Sequence, residues 1–423
     1  VATNLRDFAK VPVKGWNSWD SYGASVTENE VRANAEYMGK NLKQYGWDYV
    51  TVDIQWYEPT ASSSVYHDFY PLVMDDFSRL IPDEKRFPSA KDGSGFKKLA
   101  DYVHGLGLKF GIHIMRGIPR QAVQNATPIL GTSKTARDIA LNNICPWNSD
   151  MYGVNMGIPE GQMYYDSIVD MYASWGVDLI KCDDIAYSPL YDESHSAEIE
   201  GLRRAIDKCG RQIVLSLSPG PARVDDGAFL QKNANMWRLT DDFWDKWELL
   251  LDMFERCEKW APFSRPGNWP DCDMLPLGHI GLRSSDGPGG DRWTRFTKDE
   301  QKTMLSLWSL MQSPLILGCE LTDLDKWTTD LISNRELIEI DDKVTEKYQS
   351  YRDDKVVVWK AVSESKKYFG LFNISNEVLN ISGKAFEDFG VPLENMWDIW
   401  KHSTVSLQSG VEIPIHGVLL LSK

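Results

Sequence analysis

No stretch of the chain approaches the ~18 uninterrupted apolar residues that a membrane-spanning helix requires, so no membrane partner is expected. The first ten residues, Val1 to Lys10, lack the apolar core of a secretory leader. Positive charge is scarce: 46 basic against 61 acidic residues give a formal net charge of −15, with no basic cluster. Nucleic-acid phosphates need neutralising cations, so no nucleic-acid partner is expected. Cysteine is sparse too. Cys145, Cys182, Cys209, Cys257, Cys272 and Cys319 form no C-x-x-C pair, and the seven histidines form no H-x-x-x-H pair. Neither a metal site nor a cofactor is therefore expected. Cys182 and Cys319 lie in apolar runs, which points to buried free thiols and a reducing, cytoplasmic setting. Secretion after removal of a leader is the alternative. The three N-x-S/T sequons at Asn125, Asn373 and Asn380 are at a level chance explains. No internal repeat occurs, and no G-x-G-x-x-G follows the first β-rich run, which disfavours an open dinucleotide-binding sheet.

What is abundant is aromatic: 17 Trp and 17 Tyr among 423 residues. Packing in a large core is one reading; stacking against the C–H face of a sugar ring is the other. Hydrophobic patterning then supplies an architecture. β-rich runs recur at Val11–Trp16, Tyr49–Gln55, Leu108–Ile114, Asp178–Asp183, Gln212–Ser218 and Asn235–Leu239. A blurred seventh lies around Pro270–Leu275, and the eighth is Leu315–Gly318. Helical patterns separate them: Thr27–Tyr45, Phe96–His104, Gly161–Trp175, His195–Lys208, Phe243–Cys257 and Lys298–Met311. Thr27 with Glu30 is a capping-box signature, and Gly46 suits a helix end. This alternation predicts a (β/α)8 TIM barrel over residues 1–345. The segment Asp286–Asp291 is expected to be a loop on its catalytic side. Beyond residue 345 the texture becomes purely β, with runs at Lys355–Ala361, Tyr368–Ile374 and Val418–Ser422. Residues 346–423 are expected to form a C-terminal antiparallel β-sandwich domain.

In such a barrel the active site lies at the C-terminal strand ends. The polar residues there form a coherent set. The first strand runs out through Gly15-Trp16-Asn17-Ser18-Trp19-Asp20, and the second through Asp53-Ile54-Gln55-Trp56. The third ends near His113 and Arg116, the fourth at Lys181-Cys182-Asp183-Asp184, and the fifth at Ser218. The sixth leads from Arg238 to Asp241-Asp242, and the seventh carries Asp271-Cys272-Asp273-Met274. Two carboxylates on one ring of loops are what glycoside hydrolysis needs, one to attack the anomeric carbon and one to protonate the leaving oxygen. Lys181, two residues before Asp183, points to the same side of its strand and would keep Asp183 ionised. Partial burial of Asp242 would suit a proton donor. Blander roles stay open: Asp241 or Asp242 as a helix cap, Lys181 as a snorkelling side chain, and Trp19, Trp56 and Trp269 as packing. Asp241 also competes with Asp242 for the acid role.

The ordered set Gly15-Trp16-Asn17-Ser18-Trp19, Tyr49–Asp53, Trp175–Asp183, Trp237-Arg238 with Asp242, and Trp269–Leu275 resembles glycoside hydrolase family 27. These are the α-galactosidases and α-N-acetylgalactosaminidases, and the likeness spans essentially the whole chain. The resemblance implies a retaining double displacement with Asp183 as nucleophile and Asp242 as general acid/base. The two carboxyl groups should then stand about 5–5.5 Å apart. It also implies sugar-hydroxyl ligands at Asp53, Lys181 and Arg238, an aromatic wall at Trp19 and a further polar position at Asp273. His113 stands where a Tyr is frequent, and a ligand role for it is expected.

Two departures bear on the substrate. The family's α-galactosidases carry paired Asp residues after the second strand, the second serving the galactose 6-hydroxyl. Here Ile54 stands in that place, and burying a hydroxyl against it would cost roughly 1–3 kcal/mol. β-L-Arabinopyranose shares the galactose ring configuration but lacks C6, so the closest resemblance is to the β-L-arabinopyranosidase branch. The competing reading is that Gln55 or Tyr57 serves the 6-hydroxyl. After the fifth strand, Ser218-Pro219-Gly220-Pro221-Ala222 is small, as in the N-acetylgalactosaminidases. A glycoside substrate is thus expected: an arabinopyranoside first, an α-galactoside next, an N-acetylgalactosaminide after that. A non-catalytic sugar-binding barrel and a metal-dependent barrel hydrolase are the rivals from other classes. Self-association into a homo-oligomer is compatible with the sequence.

Overall fold

A computed structural model describes residues 7–191, 193–284 and 289–423. Eight short parallel strands form its centre: β1 Lys14–Asn17, β2 Tyr49–Val52, β3 Lys109–Met115, β4 Leu179–Asp183, β5 Val214–Ser218, β6 Met236–Arg238, β7 Trp269–Asp271 and β8 Leu315–Leu317. β1 to β7 pair in sequence order, and β8 returns to β1 with Leu315 opposite Lys14. Both faces of these strands are covered, which is why they read as continuous apolar runs rather than alternating ones.

The ring closes between β7 and β8 through isolated bonds. The Cys272 N–H donates to Ser313 Oγ at 3.0 Å, and the Leu275 N–H to the Ile316 carbonyl at 2.7 Å. Pro270 has no N–H to donate, and Asp273 sits at φ 79°. A regular ladder cannot run through such residues, and the same residues blur the seventh sequence pattern.

The surrounding helices are α1 Glu28–Asn41, α2 Lys97–Gly105, α3 Pro159–Trp175, α4 Ser196–Lys208, α5 Gly227–Asn233, α6 Trp247–Trp260, α7 Lys298–Met311, α8 Lys326–Ile332 and α9 Arg335–Lys343. The capping box of α1 is present, with the Thr27 N–H donating to Glu30 Oε1 at 3.0 Å, a contribution of about 1 kcal/mol. Three helices escape the sequence pattern: α5 and α8, with 7 residues each, and α9, with 9. α6 begins at Trp247 with Lys246 at its N-cap, four residues later than the expected Phe243. Neither Asp241 nor Asp242 caps it, so both are left to the loop on the catalytic side. Of the expected Asp286–Asp291 loop, Asp286, Gly287 and Pro288 lie outside the described residues. Its described end is tied down by Arg292, which donates to Asp245 at 2.7 Å and to the Gly289 and Gly290 carbonyls at 3.0 Å.

Two connections are far longer than a βα turn needs, one between β2 and α2 and one between β3 and α3. Between β3 and α3 the chain makes an excursion containing a three-stranded sheet, Ile118–Pro119, Ala140–Leu141 and Met151–Val154. Buried Asp150 fastens this excursion to the loop after β2: its Oδ2 accepts from Gln55 Nε2 at 2.8 Å and from Tyr57 Oη at 2.9 Å.

The C-terminal segment is antiparallel, with β9 Glu346–Arg352, β10 Val356–Val362, β11 Lys367–Asn373, β12 Leu379–Ile381, β13 Met396–Asp398, β14 Ser403–Val405, β15 Val411–Ile413 and β16 Val418–Ser422. Six of them form one sheet in the order β9-β10-β11-β16-β13-β14, and β12 pairs with β15. The period-2 alternation of β10 explains its place. Val357, Trp359 and Ala361 join the barrel's core, while Val356 and Val358 face a second core with Phe386, Ile381 and Ile413. The large sheet is thus buried on the barrel side and covered on the other by the β12–β15 pair and a one-turn-plus helix, Gly383–Asp388. β9 is an exposed polar edge strand, so hydrophobic patterning does not reveal it. Among the sequons, Asn373 is fully buried and donates to the Glu377 and Ile413 carbonyls, which removes it as a glycosylation acceptor. All six thiols are free, and five of them are buried. Among the described residues no helix is long and apolar enough to cross a membrane.

Candidate active site

The C-terminal strand ends open into a cavity of about 690 Å³. Its floor carries most of the residues singled out from the sequence: Trp19, Asp53, Ile54, Lys181, Asp183, Ser218, Arg238, Asp242 and Asp273 all line it. Eight strands converge there, so residues more than 200 positions apart share one wall. Of the aromatic candidates only Trp19 faces the cavity. Trp56 and Trp269 are packing residues, 1% and 2% exposed, and their indole N–H groups donate to the backbone carbonyls of His113 and Ala9.

Asp53, just past β2, anchors one side. Its Oδ2 accepts from Asn17 Nδ2 at 2.8 Å and lies 3.2 Å from Lys181 Nζ; its Oδ1 accepts from the Ile54 N–H. Burial alone would raise the Asp53 pKa, but the charges of Lys181 and His113 and these hydrogen bonds outweigh it, holding the carboxyl well below the usual range. Burial likewise works against the Lys181 ammonium, and Asp53 and Asp273 overcome that, so its pKa rises. Lys181 is therefore a fixed, ionised donor rather than a snorkelling chain.

Asp183 ends β4. Its Oδ2 receives His113 Nε2 at 3.0 Å and its Oδ1 the Asp184 N–H at 2.8 Å. Burial pushes its pKa up; the His113 hydrogen bond and charge, with Lys181 and Arg238, bring it below the ordinary value. His113 is fully buried and does not line the cavity: its contact is with Asp183, from beneath. Arg116 is also one layer down. It donates to the Asp184 carbonyl at 2.7 Å and pairs with Asp184 and Glu198, fixing the backbone just after Asp183.

Arg238 organises the opposite side. Its Nη1 lies 2.8 Å from Asp242 Oδ1, 3.3 Å from Ser218 Oγ and 3.8 Å from Asp273 Oδ2. Burial disfavours the guanidinium charge, and Asp273, Asp242 and Asp183 together restore it, raising its pKa. The expected partial burial of Asp242 is not found: its side chain is 58% exposed, held out over the cavity by Arg238. Asp273 fixes the loop that carries it, because Asp273 Oδ2 accepts from the Phe243 N–H at 2.9 Å. Asp241 also lines the cavity and is exposed, but its Oδ1 sits against Gly220, where a Cβ would come within 2.6 Å. Among the described residues no group of three His, Cys, Asp or Glu side chains is disposed to hold a metal ion.

A family model described as Alpha galactosidase A matches residues 149–343. Alpha-galactosidase 2 of Arabidopsis thaliana is 27% identical over 405 residues, covering 93% of this chain and 84% of that protein. The crystal structure of a GH27 β-L-arabinopyranosidase from Geobacillus stearothermophilus, in complex with arabinose, matches with a TM-score of 0.95 and 54% identity, covering 100% of this chain and 99% of that one. The chain belongs to glycoside hydrolase family 27. A Bacillus halodurans structure described as a candidate α-N-acetylgalactosaminidase is also similar, at 51% identity and a TM-score of 0.86, covering 97% of this chain and 96% of that one.

This family-27 glycosidase has a cavity with more functional groups than the sequence reading gave a role. Asp20 lines it, is 1% exposed, and leaves Oδ2 without a hydrogen-bond partner. Burial, then the neighbouring Asp273, push its pKa well above the ordinary carboxyl value, which favours its neutral form. Its place directly after Trp19 was the only sequence signal. Tyr66 and Trp147 also line the cavity from loops that no periodicity marks, and Trp244 and Met274 line it from segments whose patterns suggested a helix start and a strand.

Proposed function

We propose that this family-27 glycosidase releases terminal β-L-arabinopyranosyl residues with retention of configuration. The observation that carries the reading is at Ile54. Ile54 lines the cavity beside Asp53, whereas Gln55 and Tyr57 turn away to share Asp150 and do not line it. No polar side chain of that turn is left to receive a 6-hydroxyl. An apolar wall there suits a sugar that ends at C5, and a galactoside would lose roughly 1–3 kcal/mol burying its hydroxyl against it. The likeness to the Geobacillus stearothermophilus β-L-arabinopyranosidase supports the same choice.

The chemistry follows from the charges. Asp183, ionised and held by His113 and the Asp184 N–H, attacks the anomeric carbon as the glycosidic C–O bond breaks. Asp242, on the exposed loop, gives its proton to the leaving oxygen. The resulting carboxylate of Asp242 then takes a proton from water, whose oxygen attacks the anomeric carbon and frees Asp183. Asp53, Lys181 and Arg238 hold ring hydroxyls, and Trp19 packs against the ring. Arg238 touches both Asp242 and Ser218, which ties the acid loop to the sugar-binding floor. The test compares kcat/KM for aryl β-L-arabinopyranoside and aryl α-D-galactopyranoside. The arabinoside should be preferred by about tenfold or more; a preference for the galactoside would refute the assignment of Ile54.

The second reading is an α-N-acetylgalactosaminidase. The small Ser218-Pro219-Gly220 wall of the cavity favours it, as does the similarity to the Bacillus halodurans structure. Ile54 weighs against it, because that sugar also carries a 6-hydroxyl. Turnover of an aryl α-N-acetylgalactosaminide above both other glycosides would establish it.

A further inference from the structure

Asp242 is an exposed side chain that meets Arg238 across the cavity, so its place depends on the backbone of its own loop, Leu239 to Lys246. On one side of Asp242 that backbone is held by Asp273, at the Phe243 N–H. On the other side the loop carries Asp245, whose carboxyl is fully buried and does not line the cavity. Asp245 Oδ1 accepts from Arg292 Nη2 at 2.7 Å. Its Oδ2 accepts from Arg292 Nε at 3.1 Å and from the Arg295 N–H at 2.7 Å. The Arg292 guanidinium also lies over the Trp244 ring, 5.5 Å from its centroid. One side chain thus grips two successive residues of the acid loop. A two-point guanidinium–carboxylate fork fixes angle as well as distance, which a single bond does not.

Arg292 stands on a hairpin that is itself tied down. His279–Ile280 pairs antiparallel with Arg292–Trp293, and the His279 ring lies between Asp291 and Asp323 at 2.5 and 2.6 Å. The N–H groups of Gly281 and Arg283 donate to the Asp20 and Ser21 carbonyls, at 2.8 and 2.9 Å, on the segment after β1. A buried ion pair gains little net stability, because both charges lose their water. What it supplies here is a fixed span between the acid loop and an anchored hairpin. We propose that Arg292 and Asp245 are positioning residues for the acid/base step, holding the loop so that Asp242 meets the leaving oxygen. The inference rests on the glycosidase reading, in which Asp242 is the proton donor. Neither side chain lines the cavity, so both act through the loop and not on the substrate. Proton transfer needs a heavy-atom distance of about 2.6–3.2 Å, and a displacement of about 1 Å forfeits most of its contribution.

The experiment reads how much each substrate needs the proton. Phenyl β-L-arabinopyranoside leaves as a basic oxygen and depends on it; the dinitrophenyl glycoside leaves as a stable anion and hardly does. Arg292→Lys keeps a cation beside Asp245 but cannot form the fork. Its kcat/KM on the phenyl glycoside should fall roughly tenfold or more, and on the dinitrophenyl glycoside by less than about threefold. Asp245→Asn should do the same, and the double variant should lose no more than either single one, since one pair is removed in each case. Partial misfolding lowers both substrates alike, so the ratio of the two losses is independent of the folded fraction. If Arg292→Lys does not fold at all, Asp245→Asn decides by the same ratio. Equal losses on the two glycosides, no loss on either, or losses that add in the double variant would overturn the proposal. Asp242→Ala is the calibration and should show the same selectivity at larger amplitude. Its absence there would strike the acid assignment itself, whereas its presence there and not in Arg292→Lys or Asp245→Asn would refute the positioning role alone.

Discussion

The barrel holds a buried lysine–aspartate pair at each end, and the two do opposite work. At the catalytic face Lys181 lies 3.2 Å from Asp53, and both side chains line a cavity. At the other face Lys14, the first residue of β1, lies 3.0 Å from Asp341 and also contacts Asp342, both on α9. There Lys14 and Asp341 are 2% and 0% exposed and face each other rather than a substrate. The charges are alike and the strand ends are equivalent in kind. What differs is how the buried charge is met. Lys14 ties the last barrel helix to the first strand, but burial outweighs it at Asp341, whose pKa is pushed up to about 7. At Asp53 the charges of Lys181 and His113 and the hydrogen bonds of the Ile54 N–H and Asn17 outweigh burial and hold the carboxyl well below its usual range, on the wall of a cavity.

The sharpest way to break this contrast is to remove one member from each end. Asp183→Ala should cost about 10⁴-fold or more in kcat on aryl arabinopyranoside, since the nucleophile has no substitute. Its thermal midpoint should fall by far less than the activity, because the side chain removed is a small one on the wall of an open cavity. Near-normal turnover would remove Asp183 from the nucleophile's place. Lys14→Met should do the reverse. It leaves Asp341 buried without its cation, a loss of roughly 3–5 kcal/mol of stability, with kcat per folded molecule unchanged. Chemical denaturation together with active-site titration measures both. A Lys14→Met protein of native stability would show that the pair at the base is ornamental.

These two ends were unequally legible in the sequence. The catalytic face was readable because barrel topology sends every strand end to one place, so local patterns such as Lys181-Cys182-Asp183 acquire a shared location without any knowledge of contacts. The base pair was not, because Lys14 and Asp341 are far apart in the chain and nothing local to either marks the contact. The same limit hid Trp147: nothing local marks a residue whose position depends on Asp150 meeting Gln55 and Tyr57. It also misled the expectation for Asp242. Its neighbours Phe243 and Trp244 are buried, but the loop they anchor lifts Asp242 itself into solvent. Residue type and strand position were visible; the burial of a single loop carboxylate depends on where a loop is pinned, here by Asp273.

A smaller effect tests selectivity within the catalytic face. Ile54→Asp should move the ratio of kcat/KM for galactoside over arabinoside upward by about tenfold or more, equivalent to roughly 1–3 kcal/mol for one hydroxyl regaining a partner. The arabinoside rate should fall as well, since a second carboxyl beside Asp53 would stand unpaired when no 6-hydroxyl is bound. An unchanged ratio would mean that Ile54 does not face C6.

The smallest effect probes how the catalytic face keeps its nucleophile ready. On the proposed mechanism Asp183 must be ionised to attack, so kcat/KM should fall as pH drops through its pKa. Burial would place that fall above the ordinary carboxylate range, and the His113 hydrogen bond is the largest influence opposing it. The native acid limb should therefore lie below the range of an unperturbed Asp. Removing the donor in His113→Leu leaves burial less opposed, which raises the pKa and moves the acid limb upward. His113→Gln, which keeps an N–H donor without the ring, should recover part of the shift. A pH–rate profile on aryl arabinopyranoside distinguishes this from simple loss of packing: misfolding lowers the plateau, whereas lost stabilisation of the Asp183 charge displaces the limb. An acid limb that stays in place while the plateau drops would make His113 a packing residue, and would leave Lys181 and Arg238 to hold the nucleophile's charge.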